Sequence, residues 1–299
     1  MATPEIVNLQ KTPNLDGVTS RQVAFDSAGV RLAGTLFTRS TLDRPAPGVV
    51  VTGAWTTVKE QMAGTYAREL AARGFAALAF DFTGWGESGG DVRFVEDPQV
   101  KTADILSAVD FMATLDEVDG EAISGVGLCA SSGYMATAAA DHPKLRKLAL
   151  VAAWLHDPPL AEAVYGGADA VAELVAASRG PEKVLTAASA SDAASPMYQA
   201  PYYTEEHRGL IPEYDNKFNV ATWEPWLTYD GQASADRLSA PTLIICSESA
   251  ALPAGARAYA ARLKARPDEL WLDDVSQFDF YDRRDVIEQS VDAIADHLR

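Results

Sequence analysis

Residues Ala122–Thr137 read AISGVGLCASSGYMAT, and this stretch decides how the chain is read. An apolar run (Ile123, Val126, Leu128) meets Cys129 and passes at once into small residues that suit a helix. Gly127 stands two before the cysteine and Ser131 two after it, the spacing of a strand-to-helix turn that presents a nucleophile at its apex. Such a turn strains its central residue, so the neighbours must be small for the backbone to close around it. A helix starting there aims free N–H groups and its positive dipole end at the thiol, favouring a thiolate or an oxyanion. Ser131, followed by Ser132 and Gly133, is a rival nucleophile on a Cys-x-Ser-x-Gly reading. The strand length and Gly127 favour Cys129. A buried cysteine that ends a core strand has the same local pattern, so the rest of the chain decides.

Outward from the turn, strands and helices alternate. Gln22–Phe25 and Val30–Thr38 alternate apolar and polar residues around Ser27, Ala28 and Gly29, predicting an antiparallel hairpin. Gly48–Thr52 and Phe75–Phe80 are continuous apolar runs, as in strands buried on both faces of a parallel sheet. Met62, Tyr66 and Leu70 mark a helix between them that stops before Gly74. Asp97 or Thr102 opens the next helix, and Leu148–Ala153 is a strand after the turn's own helix. The order β-α-β-α-β-α-β predicts a parallel sheet with right-handed crossovers. The rhythm breaks from Asp157 to about Leu238, where prolines, alanine-rich patches and aromatics gather. It resumes with Thr242–Cys246, a helix around Ala254–Leu263, a strand over Glu269–Leu272 and an amphipathic final helix through Ile287, Val291, Ile294 and Leu298.

The whole chain sets bounds. Its 299 residues suit one large α/β domain with an insertion, or two small domains. A formal net charge of −17 opposes binding to nucleic acid and to anionic membranes. No secretory signal and no membrane-spanning apolar run is readable, so a soluble, cytoplasmic protein is expected. Cys129 and Cys246 are the only cysteines, which suits a reducing compartment. No cysteine–histidine cluster has zinc spacing, so neither metal nor cofactor is expected. The expected partner is a small-molecule substrate, with a homodimer left open.

Five stretches in order carry a family resemblance: Gly53–Gln61 (GAWTTVKEQ), Asp81–Ser88 (DFTGWGES), the turn at Cys129, Ala153–His156 (AWLH) and Phe278–Asp282 (FDFYD). The chain from about residue 20 to 299 resembles the α/β-hydrolases, specifically dienelactone-hydrolase-like members with cysteine at the nucleophile elbow. The resemblance implies an α/β-hydrolase fold, a mostly parallel eight-stranded sheet flanked by helices with a helical cap inserted after the sixth strand. It divides the chain into an N-terminal extension (1–19), a core (20–156 and 239–299) and a cap (157–238). Under that strand order another strand separates the two cysteines, placing them roughly 9–10 Å apart, too far for a disulfide. It also implies an oxyanion hole from the backbone N–H of Ala130 and one in the loop of Ala54, Trp55 and Thr56. Thr56, Trp154, Tyr202, Trp223 and Trp226 are the expected pocket walls. The Asp81 loop has phosphate-loop glycines without a following Gly-Lys-Ser/Thr, and a structural connection is expected there.

The triad departs from the family pattern. Relatives carry G-x-x-H-x-D-x-Y-D before the last helix, whereas this chain reads DVSQFDFYD, with Gln277 at the histidine position. An amide has no basic nitrogen and cannot take the nucleophile's proton. The usual acid position holds alanine, leaving Glu248 as the carboxylate of that loop. Among four histidines, His142 and His297 are expected at the surface and His207 in the cap. His156, at the C-terminal edge of the sheet beside the elbow, is the substitute base to test. The resulting expectation is an enzyme acting at an ester, lactone or thioester carbonyl of a small apolar or aromatic molecule, with Cys129 as nucleophile. The alternatives are a non-hydrolytic reaction in the same pocket (cyclisation, aldol-type, elimination or isomerisation) and a silent binder.

Overall fold

The computed structural model describes residues 5, 6, 15, 17–41 and 44–299. Most of the expected N-terminal extension lies outside these residues. The hairpin forms as predicted, with β1 (Val18–Ser27) antiparallel to β2 (Val30–Arg39). Its turn residues Ala28 and Gly29 both have positive φ, at 51° and 83°, which matches a tight turn to the twist of the strands.

The core then alternates. Strand β3 (Ala46–Thr52) leads through α1 (Met62–Ala72) to β4 (Ala76–Phe80). Helix α2 (Pro98–Met112) leads to β5 (Val118–Leu128), α3 (Ser131–Asp141) and β6 (Leu145–Val151). Asp97 starts α2, accepting the N–H groups of Gln99 and Val100 with Pro98 in the first turn. Thr102 lies inside the helix.

The inserted segment comes next, comprising α4 (Pro158–Val164), α5 (Ala168–Ser178), β7 (Val184–Thr186), β8 (Ala188–Ser189), β9 (Met197–Tyr198), α6 (Pro201–Thr204), β10 (Lys217–Asn219) and α7 (Trp223–Leu227). The core closes with β11 (Thr242–Cys246), α8 (Pro253–Arg262), β12 (Asp268–Trp271), α9 (Asp279–Asp282) and α10 (Arg284–Leu298).

The eight-stranded sheet has the order β1-β2-β4-β3-β5-β6-β11-β12 and is parallel from β4 onward. Its central strands bury both faces, which accounts for their uninterrupted apolar runs. Strand β6 separates the strands that end at Cys129 and Cys246, and both thiols are free. The insertion follows the sixth strand, but it is not all helix. It also carries two small sheets, β7 with β10 and β8 with β9. Its aromatics face inward: Tyr202, Tyr203, Tyr214, Phe218, Trp223 and Trp226 are buried and continuous with the core, while Tyr198 is exposed. Arg208 binds Asp282 through both carboxylate oxygens, at 2.6 and 2.8 Å, fastening the insertion to α9. Among the described residues no helix is long and apolar enough to cross a membrane.

Candidate active site

Cys129 occupies the turn between β5 and α3 with φ 57°, the left-handed conformation the local spacing demands. Its N–H donates to Val151 O at 2.9 Å, and its carbonyl accepts Trp154 N–H at 3.0 Å. The turn is therefore stitched to the end of β6 and to the loop that follows it. A Cβ on Gly127 would lie 2.7 Å from Ser131 O and 2.8 Å from Ser132 Cα, so only glycine lets the helix approach this closely. Ser131 is fully buried, and its hydroxyl is taken up by Thr52 O, Leu128 O and Leu128 N–H. It faces backbone, which removes it as a rival to Cys129.

Three donors converge on Cys129 Sγ: the N–H of Ala130, the N–H of Trp55 and the hydroxyl of Tyr281. Burial nevertheless pushes the thiol above its ordinary range, and the charge of Glu96 adds to that rise while the donors oppose it. The expected lowering by a helix N-terminus is therefore outweighed by desolvation.

The Gln277 side chain has one orientation. Its Oε1 accepts Ala251 N–H at 2.9 Å, and its Nε2 donates to Ala152 O at 3.0 Å and Tyr281 Oη at 2.7 Å. A flipped amide would set oxygen against carbonyl oxygen and N–H₂ against N–H, so the backbone determines the assignment. Since Gln277 donates to the Tyr281 oxygen, the phenolic hydrogen is directed to the sulfur. The hydrogens of the whole chain, Ala251 to Gln277 to Tyr281 to Cys129, point toward Sγ. A catalytic triad runs the opposite way, drawing a proton off the nucleophile. Tyr281 stands outside the sequence-predicted set, although it coincides with the tyrosine of the family motif at the chain's end.

Two predicted residues are corrected. His156 is buried with both ring nitrogens engaged, Nδ1 accepting Trp154 Nε1–H at 3.0 Å and Nε2 donating to Trp226 O at 2.8 Å. It lies outside the cavity walls, and burial holds its pKa below the ordinary value. It is a packed strut and cannot serve Cys129 as a base. Glu248 is exposed and paired with Arg257, whose guanidinium lies 3.6 Å from the Trp271 ring centre. The group that meets position 277 from that loop is the backbone N–H of Ala251.

The cavity above Cys129 has a volume of about 430 Å³. Trp154 and Trp226 line it, together with Trp55, Tyr203, Met197 and Phe278. Thr56, Tyr202 and Trp223 stand behind the walls: Thr56 bonds Tyr214, Tyr202 packs on Tyr203 and Tyr281, and Trp223 packs on Trp55. No Asp, Glu, Lys, Arg or His is among the walls formed by the described residues.

The loop that supplies the Trp55 N–H is strongly held. Thr56 has φ 63°, an outlier for a β-branched residue. Its N–H donates to Glu96 Oε2 at 3.0 Å and its hydroxyl bonds Tyr214 Oη at 3.2 Å. Ala54 O accepts the Thr57 hydroxyl at 2.7 Å. The fully buried Glu96 also receives Lys101 Nζ at 2.7 Å and Tyr134 Oη at 3.0 Å. Further along, Lys59 Nζ sits among Asp81, Glu60 and Glu87 at 2.6–2.8 Å. That carboxylate cluster already holds a cation, and the Asp81 loop acts as a structural brace. Glu96→Gln is expected to destabilise the fold by about 3–5 kcal/mol in urea denaturation, because it leaves Lys101 buried without its counter-charge. Adding Lys101→Met should recover most of that loss. A single variant as stable as the original chain would show that Glu96 is no clamp.

Residues 49–289 match the model of the Alpha/beta hydrolase family. Uncharacterized protein PA2218 of Pseudomonas aeruginosa is 32% identical over 300 residues, covering 90% of this chain and 78% of that protein. Its crystal structure has a TM-score of 0.86 at 25% identity, covering 100% of this chain and 99% of that one. Acyltransferase drtE of Aspergillus calidoustus is 28% identical over 170 residues, covering 56% of this chain and 55% of that protein. The dienelactone hydrolase of Anabaena variabilis shares the fold with a TM-score of 0.58 at 11% identity, covering 94% and 97%. By the match over residues 49–289 and by its sheet, the chain belongs to the alpha/beta hydrolase family and is a hydrolase-type enzyme.

Proposed function

We propose that Cys129 forms an acyl-cysteine from a small, mainly apolar or aromatic ester, lactone or thioester, and that the acyl group passes to a bound acceptor rather than to water. The observation that carries this reading is the set of donors that favour the thiolate, Tyr281 O–H, Ala130 N–H and Trp55 N–H, with no Asp, Glu or His among the described residues that line the cavity with Cys129. As the thiol adds to the carbonyl, negative charge moves to the carbonyl oxygen, where the two N–H groups act as an oxyanion hole. With a thioester the balance is simple: Cys129–SH plus RCO–SR′ gives Cys129–S–COR plus HS–R′, and the thiol's proton leaves with the departing sulfur. An alkoxide leaving group is more basic and depends on the Tyr281 hydroxyl as acid.

Hydrolysis of the acyl-enzyme needs an activated water, and Gln277 has both ends of its amide engaged in fixed hydrogen bonds. Transfer to a second nucleophile in the same molecule or in a cosubstrate avoids that step. The inserted segment supplies Tyr203, Met197 and Trp226 to the cavity, which suits a cap that excludes water. The acyltransferase name of the drtE relative agrees with this chemistry.

Incubation with p-nitrophenyl acetate, followed by intact mass and peptide mapping, tests the reading. A burst of about one equivalent is expected, with the acetyl group on Cys129 and little turnover afterwards. Its rate should climb about tenfold per pH unit through pH 9, because burial keeps the thiol protonated past its ordinary range. Steady turnover without an adduct would refute transfer, and an unmodified Cys129 would refute the nucleophile.

A further inference from the structure

We infer that the Tyr203 hydroxyl holds the second substrate of the transfer, a neutral acceptor that attacks through an O–H or N–H group. The inference rests on the acyl-transfer reading for the acyl group on Cys129. Tyr203 comes from α6 in the inserted segment and lines the cavity. Edge-on contacts with Tyr202 and Phe278, at ring-centre distances of 5.0 and 6.1 Å, fix the direction of its ring. The residue is 3% exposed and its hydroxyl bonds no group among the described residues, yet the oxygen keeps accessible surface of its own. Because Tyr203 is a cavity wall, that surface opens onto the cavity. The Trp55 indole nitrogen, also without a partner, is by contrast sealed. Burial pushes the Tyr203 pKa well above its ordinary value, and the charge of a Cys129 thiolate is the next cause. The phenol therefore stays neutral, able both to donate and to accept, and it stands within the field of the sulfur.

The other polar side chains of the described walls have other duties. Gln277 and Tyr281 form the relay to the sulfur, Ser276 donates to Asp279 at 2.7 Å, and the Tyr165 oxygen accepts Trp226 Nε1–H at 2.8 Å. Ser249 is exposed to solvent. The acyl carbonyl oxygen has the N–H groups of Ala130 and Trp55, so the acceptor is the reactant for which the core supplies no contact. In the transfer, the acceptor's X–H bond and the S–acyl bond break, with X oxygen or nitrogen. The acyl–X and S–H bonds form, and the proton ends on the sulfur. A charged acceptor would enter a cavity whose described walls carry no Asp, Glu, Lys, Arg or His, and its desolvation would go uncompensated. A neutral alcohol or amine gives its hydrogen to Tyr203 Oη and keeps a lone pair for the acyl carbon. A thiol is a weak donor and gains little there.

In the test, the full-length chain, acetylated on Cys129 by p-nitrophenyl acetate, is mixed with benzyl alcohol, benzylamine or benzyl mercaptan, and loss of the acetyl group is followed by intact mass. The alcohol or the amine is expected to speed that loss. In Tyr203→Phe, its rate relative to that of the mercaptan should fall about three- to tenfold. A purely structural role would slow all three acceptors alike and leave the ratio where it was. An unmoved ratio, or acceleration by the mercaptan alone, would overturn this inference and leave acyl transfer standing. An acetyl group that no acceptor removes, or a Cys129 that never acylates, refutes the transfer reading instead. A crystal structure of the Cys129→Ala chain soaked with benzyl alcohol decides the contact without acylation, and whether or not the Tyr203→Phe chain folds. The alcohol oxygen is expected within hydrogen-bond distance of Tyr203 Oη. An oxygen bound elsewhere, or a cavity that takes up no alcohol, would overturn the inference.

Discussion

Gln277→His is expected to turn a single acylation burst into continuous hydrolysis of p-nitrophenyl acetate, raising steady turnover by about 10²–10⁴-fold. The side chain at 277 ends 2.7 Å from Tyr281 Oη, and Tyr281 bonds the sulfur. An imidazole there has a basic nitrogen within reach of a water entering from the cavity, which an amide lacks. The gain should fall at the low end for the single variant. The group facing position 277 from the β11–α8 loop is an N–H donor, Ala251, and it cannot orient an imidazole as a carboxylate does. Adding Ala251→Asp supplies that acceptor and should carry turnover toward the upper end. Stopped-flow burst amplitude and the steady rate after it measure both effects. If neither variant exceeds the original chain after the burst, position 277 does not command deacylation.

Tyr281→Phe should slow acylation of Cys129 by about 10²–10³-fold, the usual cost of removing one preorganised donor from a reacting centre. The substitution keeps the ring and its packing on Tyr202 and Phe278, and deletes only the hydroxyl that joins Gln277 to the sulfur. A purely structural role would leave the thiol's acidity alone, so a second readout is needed. Burial already raises the Cys129 pKa, and the Tyr281 hydrogen bond is the foremost force opposing it. Its loss should shift the pH profile of iodoacetamide labelling at Cys129 to higher pH. In the unaltered chain Cys129 should label ahead of Cys246, which ends β11 with no exposure at all. Labelling of Cys246 first, or an unmoved profile in the variant, would remove Tyr281 from its proposed role. Gln277→Ala should show a weaker version of the same shift, because it frees the Tyr281 hydroxyl to rotate without removing it.

Much of the architecture is legible in the sequence because its causes are local. Gly127 and the small residues after Cys129 mark a turn that only small side chains permit, and the φ of 57° at Cys129 follows from that crowding. The hairpin is written in alternation around Ala28 and Gly29. The central strands are written in unbroken apolar runs, and α10 in a stripe of Ile287, Val291, Ile294 and Leu298. The insertion shows as a loss of rhythm after β6, but its two small sheets do not, since strands of two or three residues carry no period.

The chemistry of the site divides differently. Sequence alone determined that a cysteine stands at the elbow and that an amide stands where a base is expected, because those are residue identities. Only the tertiary structure decided what they do, because hydrogen-bond direction and burial depend on groups far apart in the chain. His156 lies beside the elbow strand as anticipated, yet Trp226 O, 70 residues on, takes its Nε2 and turns it into a strut. Glu248 finds Arg257, nine residues on in α8, and leaves the site to the Ala251 N–H. Gln277 reads as a lost base until Ala152 O, 125 residues earlier, fixes its orientation. That contact makes it a donor to Tyr281 as well, and through Tyr281 the relay from the Ala251 N–H runs toward the sulfur.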